Sequence, residues 1–487
     1  MRAATVGVLN VKVLLVRPHA ALPTSQWLQT MLRLEPYAQE LIAGGIEPPH
    51  DVRICDLAVE KRPVAAFRRA LHEYRPDLVG FGGFSSQFRT NRELAAITKE
   101  VLPRALTCVG GIHPSSIPSD CKRPELFDLV VRGDGVSAMK VILDALEREE
   151  SLPESEWVLP TASANFDRLA ALPPPAIHPD GINTPPRRDL VDMSRYFCIC
   201  YGQPGEKMET LFPQIACVRT SVGCPQRCSF CVVHFLAEGK YLQRDVEDVV
   251  DEIASLPQEY VYFVDDETFI NTRRMQRMAE MLIKRGIKKK YLSWARSDTV
   301  CRHPELFELW KKAGLEFVYI GFESLEEANL NAYNKKATPS QNREAREILR
   351  KLDLNIHAAL MVNPDFEEKD FLTVQRAIKE MAPAEFAFTV YSPPPGTREF
   401  AESRDKFICD DPYLYYDCLH TILPTKLPLR RFYRYFAILY GLGAANIPAR
   451  VNGLRVPLRD RVKLLAGGVR FGWQMFRMYR EYDRKYW

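Results

Sequence analysis

QIACVRTSVGCPQRCSFC, residues 214–231, begins as a buried strand and ends in three cysteines, Cys224, Cys228 and Cys231. A short apolar run bounded by turn residues is the pattern of a strand covered on both faces. The C-x3-C-x2-C array therefore stands on the loop at that strand's carboxyl end. Outward from it, similar runs recur at YVYFVDD (260–266), YLSWARSD (291–298), EFVYIGFES (316–324), NIHAALMVN (355–363) and EFAFTVYSP (385–393). Helical stretches such as VEDVVDEIASL (246–256) and NREAREILRKL (342–352) fall between them. Six strand–helix units over 206–400 predict a partial (β/α)6 barrel with its chemistry on the loops after the strands.

Residues 1–150 show a second α/β pattern. VKVLLVRP (11–18), DLVGFGGFSS (77–86), LTCVGGIHP (106–114) and DLVVRGDG (128–135) are short apolar runs ending in Gly, Ser or Pro, and NRELAAITKEVL (91–102) has helical periodicity. This predicts a flavodoxin-like, doubly wound parallel sheet whose ligand lies at the strand ends. Residues 151–205 are rich in Pro and small residues and read as a linker. Residues 401–487 read as helical and basic, with ten Lys/Arg against three acids from Arg450 onward.

Bulk properties narrow the class. A chain of 487 residues, 46% hydrophobic, has room for two or three cores. A net charge of +4 is too small to argue for nucleic acid. The 12 cysteines are mostly isolated among apolar neighbours, as at Cys108 and Cys217, the usage of a reduced compartment. The N-terminal apolar run meets Arg17 and Pro18 without a cleavage site, so it reads as a strand, and no run reaches the ~18 apolar residues of a membrane span. The expectation is a cytoplasmic protein.

Thiolates are the soft ligands of iron–sulfur clusters, and three of them leave one iron of a cubane open. Structural zinc is an alternative, with His234 as a fourth ligand. Three coincident buried thiols are another. A non-catalytic iron–sulfur or zinc protein therefore stands beside the enzyme reading at this stage.

The array, with Phe230 before its last cysteine, resembles the signature of the radical SAM superfamily. FVDDETF (263–269), ARSD (295–298), GFES (321–324), NKKAT (334–338) and PPPGT (393–397) resemble further family segments. The resemblance implies a 4Fe-4S cluster on Cys224, Cys228 and Cys231, whose open iron chelates S-adenosylmethionine and whose reduction releases a 5′-deoxyadenosyl radical. It implies that Phe230, Arg296 and Glu323 face SAM; an ordinary rim salt bridge is the other reading of Arg296 and Glu323. Asp265 and Asp266 would orient SAM or substrate, or cap the next helix.

A flavodoxin-like domain ahead of such a barrel resembles the class B, cobalamin-dependent radical SAM methyltransferases. Ser85, Ser86, Gly110, Gly111, His113, Gly133 and Gly135 match positions that would hold cobalamin, with His113 at its tail or edge. The Asp-x-His-x-x-Gly motif is absent, so the resemblance assigns no lower ligand to cobalt. A scaffold without cofactor is the alternative for this domain. The implied reaction moves a methyl from methylcobalamin to an unactivated carbon, and a second SAM restores the methyl.

PDFEEKDF (364–371) and the stretch 416–440 are most similar to hopanoid C-3 methylases, which act on a membrane lipid. Methylation or cyclisation of another natural product is the rival. A tRNA methylthiotransferase would need three further cluster cysteines, and Cys55, Cys108 and Cys121 are scattered. The resemblance implies a flavodoxin or ferredoxin as reductant and a small-molecule or lipid substrate. The tail VRFGWQMFRMYREYDRKYW (469–487) fits either an interfacial helix touching a membrane or a helix packed on the barrel with a solvated basic face. Tyr433, Tyr435 and Tyr440 are expected in the core rather than against substrate.

Overall fold

The computed structural model describes residues 10–173, 175, 178–200, 207–381, 385–444, 447, 451 and 454–486. Residues 1–9 of the N-terminal stretch and Arg450 of the basic tail lie outside the described residues. The chain forms two compact units.

The first unit comprises the chain up to Ala21 and residues 36–192. Its sheet runs Asp51–Asp56, Lys12–Arg17, Leu78–Phe81, Leu106–Val109, Leu129–Val131, Val158–Pro160, with the last strand antiparallel to the parallel five. Neighbouring residues of a strand point to opposite faces, and here both faces are apolar. Leu14 and Val16 pack with Phe67, Val79 and Phe81 on one side. Val13 and Leu15 pack with Ala43, Leu78 and Ile142 on the other. Helices therefore cover both faces, the doubly wound arrangement expected. The strand order reverses at Lys12–Arg17, which sets a ligand crevice outside the ends of Lys12–Arg17 and Leu78–Phe81.

The supposed linker is partly sheet. Val158–Pro160 pairs with Leu129–Val131, and Phe166 is fully buried in the same core. A three-residue strand is too short to show periodicity, so composition alone misread it.

The second unit comprises 22–35 and 193–487. Its six parallel strands, Ile215–Val218, Tyr260–Phe263, Lys290–Ala295, Leu315–Glu323, Asn355–Val362 and Glu385–Val390, pair in sequence order. The first and last are sheet edges, so the barrel is partial. Its core centres on Trp310, set edge-on to Phe263 and Tyr291 at 5.6 and 5.5 Å. Phe432, Tyr433, Phe436 and Met475 join this core, which makes the C-terminal helices part of the barrel unit. Tyr433 is buried, Tyr440 bonds the Phe388 carbonyl at 2.6 Å, and Tyr435 is half-buried.

Residues 22–35 depart from the expected 1–150 boundary. Thr24 donates to Glu481 at 2.5 Å, Ser25 to Asp417 at 2.5 Å, and Glu35 accepts from the Cys217 amide at 2.6 Å. Partners more than 180 positions away decide where this stretch belongs, and no local pattern reports them. Among the described residues no helix is long and apolar enough to cross a membrane.

Candidate active site

The strand Ile215–Val218 delivers the chain into the cysteine loop, and buried charge fixes the loop's path. Asp265 accepts from Thr220 N at 2.6 Å, Thr220 Oγ1 at 2.8 Å and Ser221 N at 2.8 Å. Asp266 accepts from Gly223 N at 2.7 Å. The Arg274 guanidinium donates to the Thr220 carbonyl at 3.1 Å and the Arg244 carbonyl at 2.8 Å. Gly223 has φ 88°, and a Cβ there would stand 2.2 Å from the Lys240 carbonyl oxygen. The two aspartates thus hold the cysteine loop. Asn271, not either of them, caps the following helix Thr272–Lys284.

Beyond the loop is a cavity of about 360 Å3 at the strand ends. It gathers all six expected side chains of this region: Cys224, Cys228, Cys231, Phe230, Arg296 and Glu323. Burial raises the Cys224 thiol and pushes Cys231 up to about 11, so a metal's positive charge is what would keep thiolates here at neutral pH. His234, the zinc alternative's fourth ligand, turns Nδ1 to the Cys231 carbonyl at 2.9 Å. Among the described residues no three His, Cys, Asp or Glu side chains converge on a single-ion site. Three thiols on one short loop, with no fourth protein ligand among the described residues, suit a cluster with an open iron better than a closed tetrahedral zinc.

The cavity lining also carries paired charges. Arg296 donates to Asp298 at 2.9 Å and to the Lys335 carbonyl at 2.8 Å. Lys335 pairs with Glu323 at 2.9 Å, and its ammonium lies 5.8 Å from the centre of the Phe230 ring. Glu323 sits at φ 59°, where the strand register slips, so strain turns its carboxylate at the cavity. The rim salt bridges and the cavity-facing positions are therefore both present.

Sequence reasoning missed Glu267, the residue after the aspartate pair. It is buried in the cavity wall, and burial lifts its carboxyl to about 7 against the pull of Arg296 and Lys335. Its Oε1 has no hydrogen-bond partner among the described residues. A carboxyl with one unpaired oxygen beside two held cations fits the ammonium and carboxylate of a zwitterionic ligand such as the methionyl end of SAM. Lys335, in the NKKAT segment, was also missed, as were Tyr416 and Cys418, which line the cavity from a stretch without strand or helix periodicity.

In the first unit, Gly110 and Gly111 follow Leu106–Val109, and Ser85 and Ser86 open a short turn after Leu78–Phe81. Gly111 has φ 105°, and a Cβ on it would lie 2.8 Å from the Gly83 carbonyl. These two loops therefore touch backbone to backbone beside the crevice. Phe84, just before the Ser85–Gln87 turn, stands 64% exposed, a flat apolar surface fit for a macrocycle. Ser115 ties the Gly111 carbonyl at 2.7 Å to the Gly133 amide at 2.9 Å.

Of the other expected cobalamin residues, His113 is buried, Gly135 half-buried and Gly133 exposed. His113 is 1% exposed, its ring 4.2 Å from that of Phe88, and burial lowers its pKa to about 3. A Cβ on Gly133 would meet Pro175 at 2.9 Å, and one on Gly135 would meet Ile42 at 2.9 Å. Those glycines permit internal packing.

Two family models match the chain in this order: a B12 binding domain over 33–143 and the Radical SAM superfamily over 218–378. A hopanoid C-3 methylase of Methylococcus capsulatus is 31% identical over 87% of this chain and 78% of its own length. The chain belongs to the cobalamin-dependent radical SAM methyltransferases. The methyltransferase is also 27% identical, over 73% of its length and 58% of the relative's, to an anaerobic magnesium-protoporphyrin IX monomethyl ester cyclase of Cereibacter sphaeroides. The structure of the radical SAM methyltransferase TsrM of Kitasatospora setae, with cobalamin and a 4Fe-4S cluster bound, shares its fold, with TM-score 0.65 at 17% identity over 97% of this chain and all of that one. The methyltransferase uses a 4Fe-4S cluster, SAM and cobalamin, and its class needs a reductant and a small-molecule substrate.

Proposed function

We propose that the methyltransferase adds a methyl group to a hopanoid, at C-3. What carries this reading is the 31% identity to a hopanoid C-3 methylase, which extends through both units rather than one cofactor domain. When bound, the cluster and SAM supply a hydrogen-abstracting 5′-deoxyadenosyl radical and cobalamin supplies the methyl group.

The chain's own residues have separable tasks. Cys224, Cys228 and Cys231 hold the cluster, on a loop that Asp265 and Asp266 keep in place. Glu267 and Glu323 receive the ammonium of SAM, while Arg296 and Lys335 balance its carboxylate. Phe230 walls the same end. Trp294, Met361 and Val390 give the cavity an apolar lining that keeps water from a radical. Ser85, Ser86, Gly110, Gly111, Gly133 and Gly135 take the cobalamin tail, and His113 supports those loops from within. The reductant is a flavodoxin or ferredoxin. The protein works in the cytoplasm, at the periphery of a membrane.

The test is an anaerobic assay with cluster-loaded protein, reductant, SAM, methylcobalamin and a hopanoid. The expected result is 5′-deoxyadenosine together with a hopanoid heavier by one methyl group. SAM cleavage without any methylated hopanoid refutes the substrate.

A further inference from the structure

The helix Leu458–Arg477 buries only Asp460 and Met475. Leu464 and Phe471 are half-buried, but six further apolar side chains are open: Leu458 is 75% exposed, Leu465 71%, Val469 64% and Trp473 59%, with Val462 and Phe476 also exposed. Their spacing of three and four residues puts all six in one stripe, about 27 Å long at 1.5 Å per residue. The basic face expected in water is thus an apolar face with a basic border. At 100° per residue, Arg459, Lys463, Arg470 and Arg477 follow one edge of the stripe. Arg434, from the helix Leu429–Gly443, adds a guanidinium 5.3 Å from the ring of Phe476.

Acids are missing from this border. Asp460 is the one carboxylate between Leu458 and Arg480, and it is buried, accepting from Thr210 Oγ1 at 2.6 Å and Leu211 N at 2.8 Å. A second copy docked on the stripe would bring cations against cations with no carboxylate to pair them. An anionic bilayer offers both an apolar interior for the stripe and negative headgroups for its edge.

We propose that the exposed stripe of Leu458–Arg477 is the face by which the enzyme docks on an anionic lipid bilayer, lying in its interface. The proposal rests on the peripheral-membrane reading above and narrows it to one helix. It does not depend on which substrate the barrel methylates.

The full-length, cofactor-loaded protein is sedimented with vesicles of phosphatidylcholine alone or with about one third phosphatidylglycerol. It should bind the anionic vesicles, more weakly as salt rises. Val469→Asp should lower that affinity about tenfold or more. The pair Lys463→Gln and Arg470→Gln should weaken binding to anionic vesicles only. Unchanged melting temperature and iron content show that each variant is folded. If the native protein binds no vesicles, the peripheral reading falls with the proposal. If Val469→Asp binds as well as the native protein, this face is wrong while the peripheral reading survives. A native dimer that Val469→Asp dissolves, without vesicle binding, would make the stripe a self-association face and overturn the proposal.

Discussion

Replacing Asp265 by alanine should damage the active site from underneath, without touching a cavity-facing ligand. The carboxylate accepts three hydrogen bonds from Thr220 and Ser221, is 5% exposed, and stands near the Arg274 guanidinium. A hydrogen bond to a charged acceptor contributes about 1.5–3 kcal/mol, but three on one carboxylate are not additive. Buried donors left without their acceptor cost about 1–3 kcal/mol each, less than additively, so about 3–4 kcal/mol is expected for Asp265→Ala. Asp265→Asn, which still offers an acceptor oxygen, should lose about half as much. The assay is anaerobic urea unfolding of cofactor-free protein, followed by tryptophan fluorescence, with iron per chain measured after cluster reconstitution. Both stability and iron loading should fall in Asp265→Ala. Stability within about 1 kcal/mol of native with full iron loading would refute the view that this aspartate holds the cysteine loop.

Other outcomes follow from the same geometry. Alanine at Cys224, Cys228 or Cys231 should abolish the cluster's visible absorbance and SAM cleavage while leaving cobalamin binding intact; loss of cobalamin in these variants would mean global misfolding. Gly223→Ala, forced against the Lys240 carbonyl at φ 88°, should lower cluster loading with little change in the first unit. Gly111→Ala should cost about 1–3 kcal/mol and weaken cobalamin binding, read by titration of the corrinoid spectrum, with iron content unaffected. Burial opposes a charge on His420, yet Asp417 at 2.9 Å and Glu481 at 3.3 Å push its pKa up to about 9. A raised histidine adds stability that is complete below its ordinary 6.5 and lost as pH climbs through 9, here about 3 kcal/mol. The melting temperature of native protein should therefore drop between pH 7 and 10, and His420→Gln should start lower and lack that drop. A variant retaining the native slope would place the effect elsewhere.

Both α/β units were legible in the chain itself, and the cysteine array pointed to a cluster; the rest of the chemistry rested on the family resemblance. Short apolar runs can satisfy their backbones only as buried parallel strands, so the six barrel strands were legible from 214 to 393. The cysteine spacing was legible because a cluster demands several thiolates on one short loop. Arg296, Glu323 and Phe230 came from the family resemblance rather than from spacing, and all three line the cavity.

Tertiary structure decided what depends on partners distant along the chain. Asp265 and Asp266 read as ligands or caps, but their acceptors' work lies 43 to 45 residues back, in the cysteine loop. Glu267 gains its unusual proton affinity from burial, a property no single residue type carries. Residues 22–35 belong to the barrel unit because Asp417, Glu481 and Cys217 bind them there. In sequence the tail 469–487 fitted either an interfacial helix or one packed on the barrel with a basic solvated face. Only the packed structure shows that the helix Leu458–Arg477 turns Asp460 and Met475 inward and leaves Leu458, Val462, Leu465, Val469 and Trp473 outside, because burial is set by neighbours and not by composition.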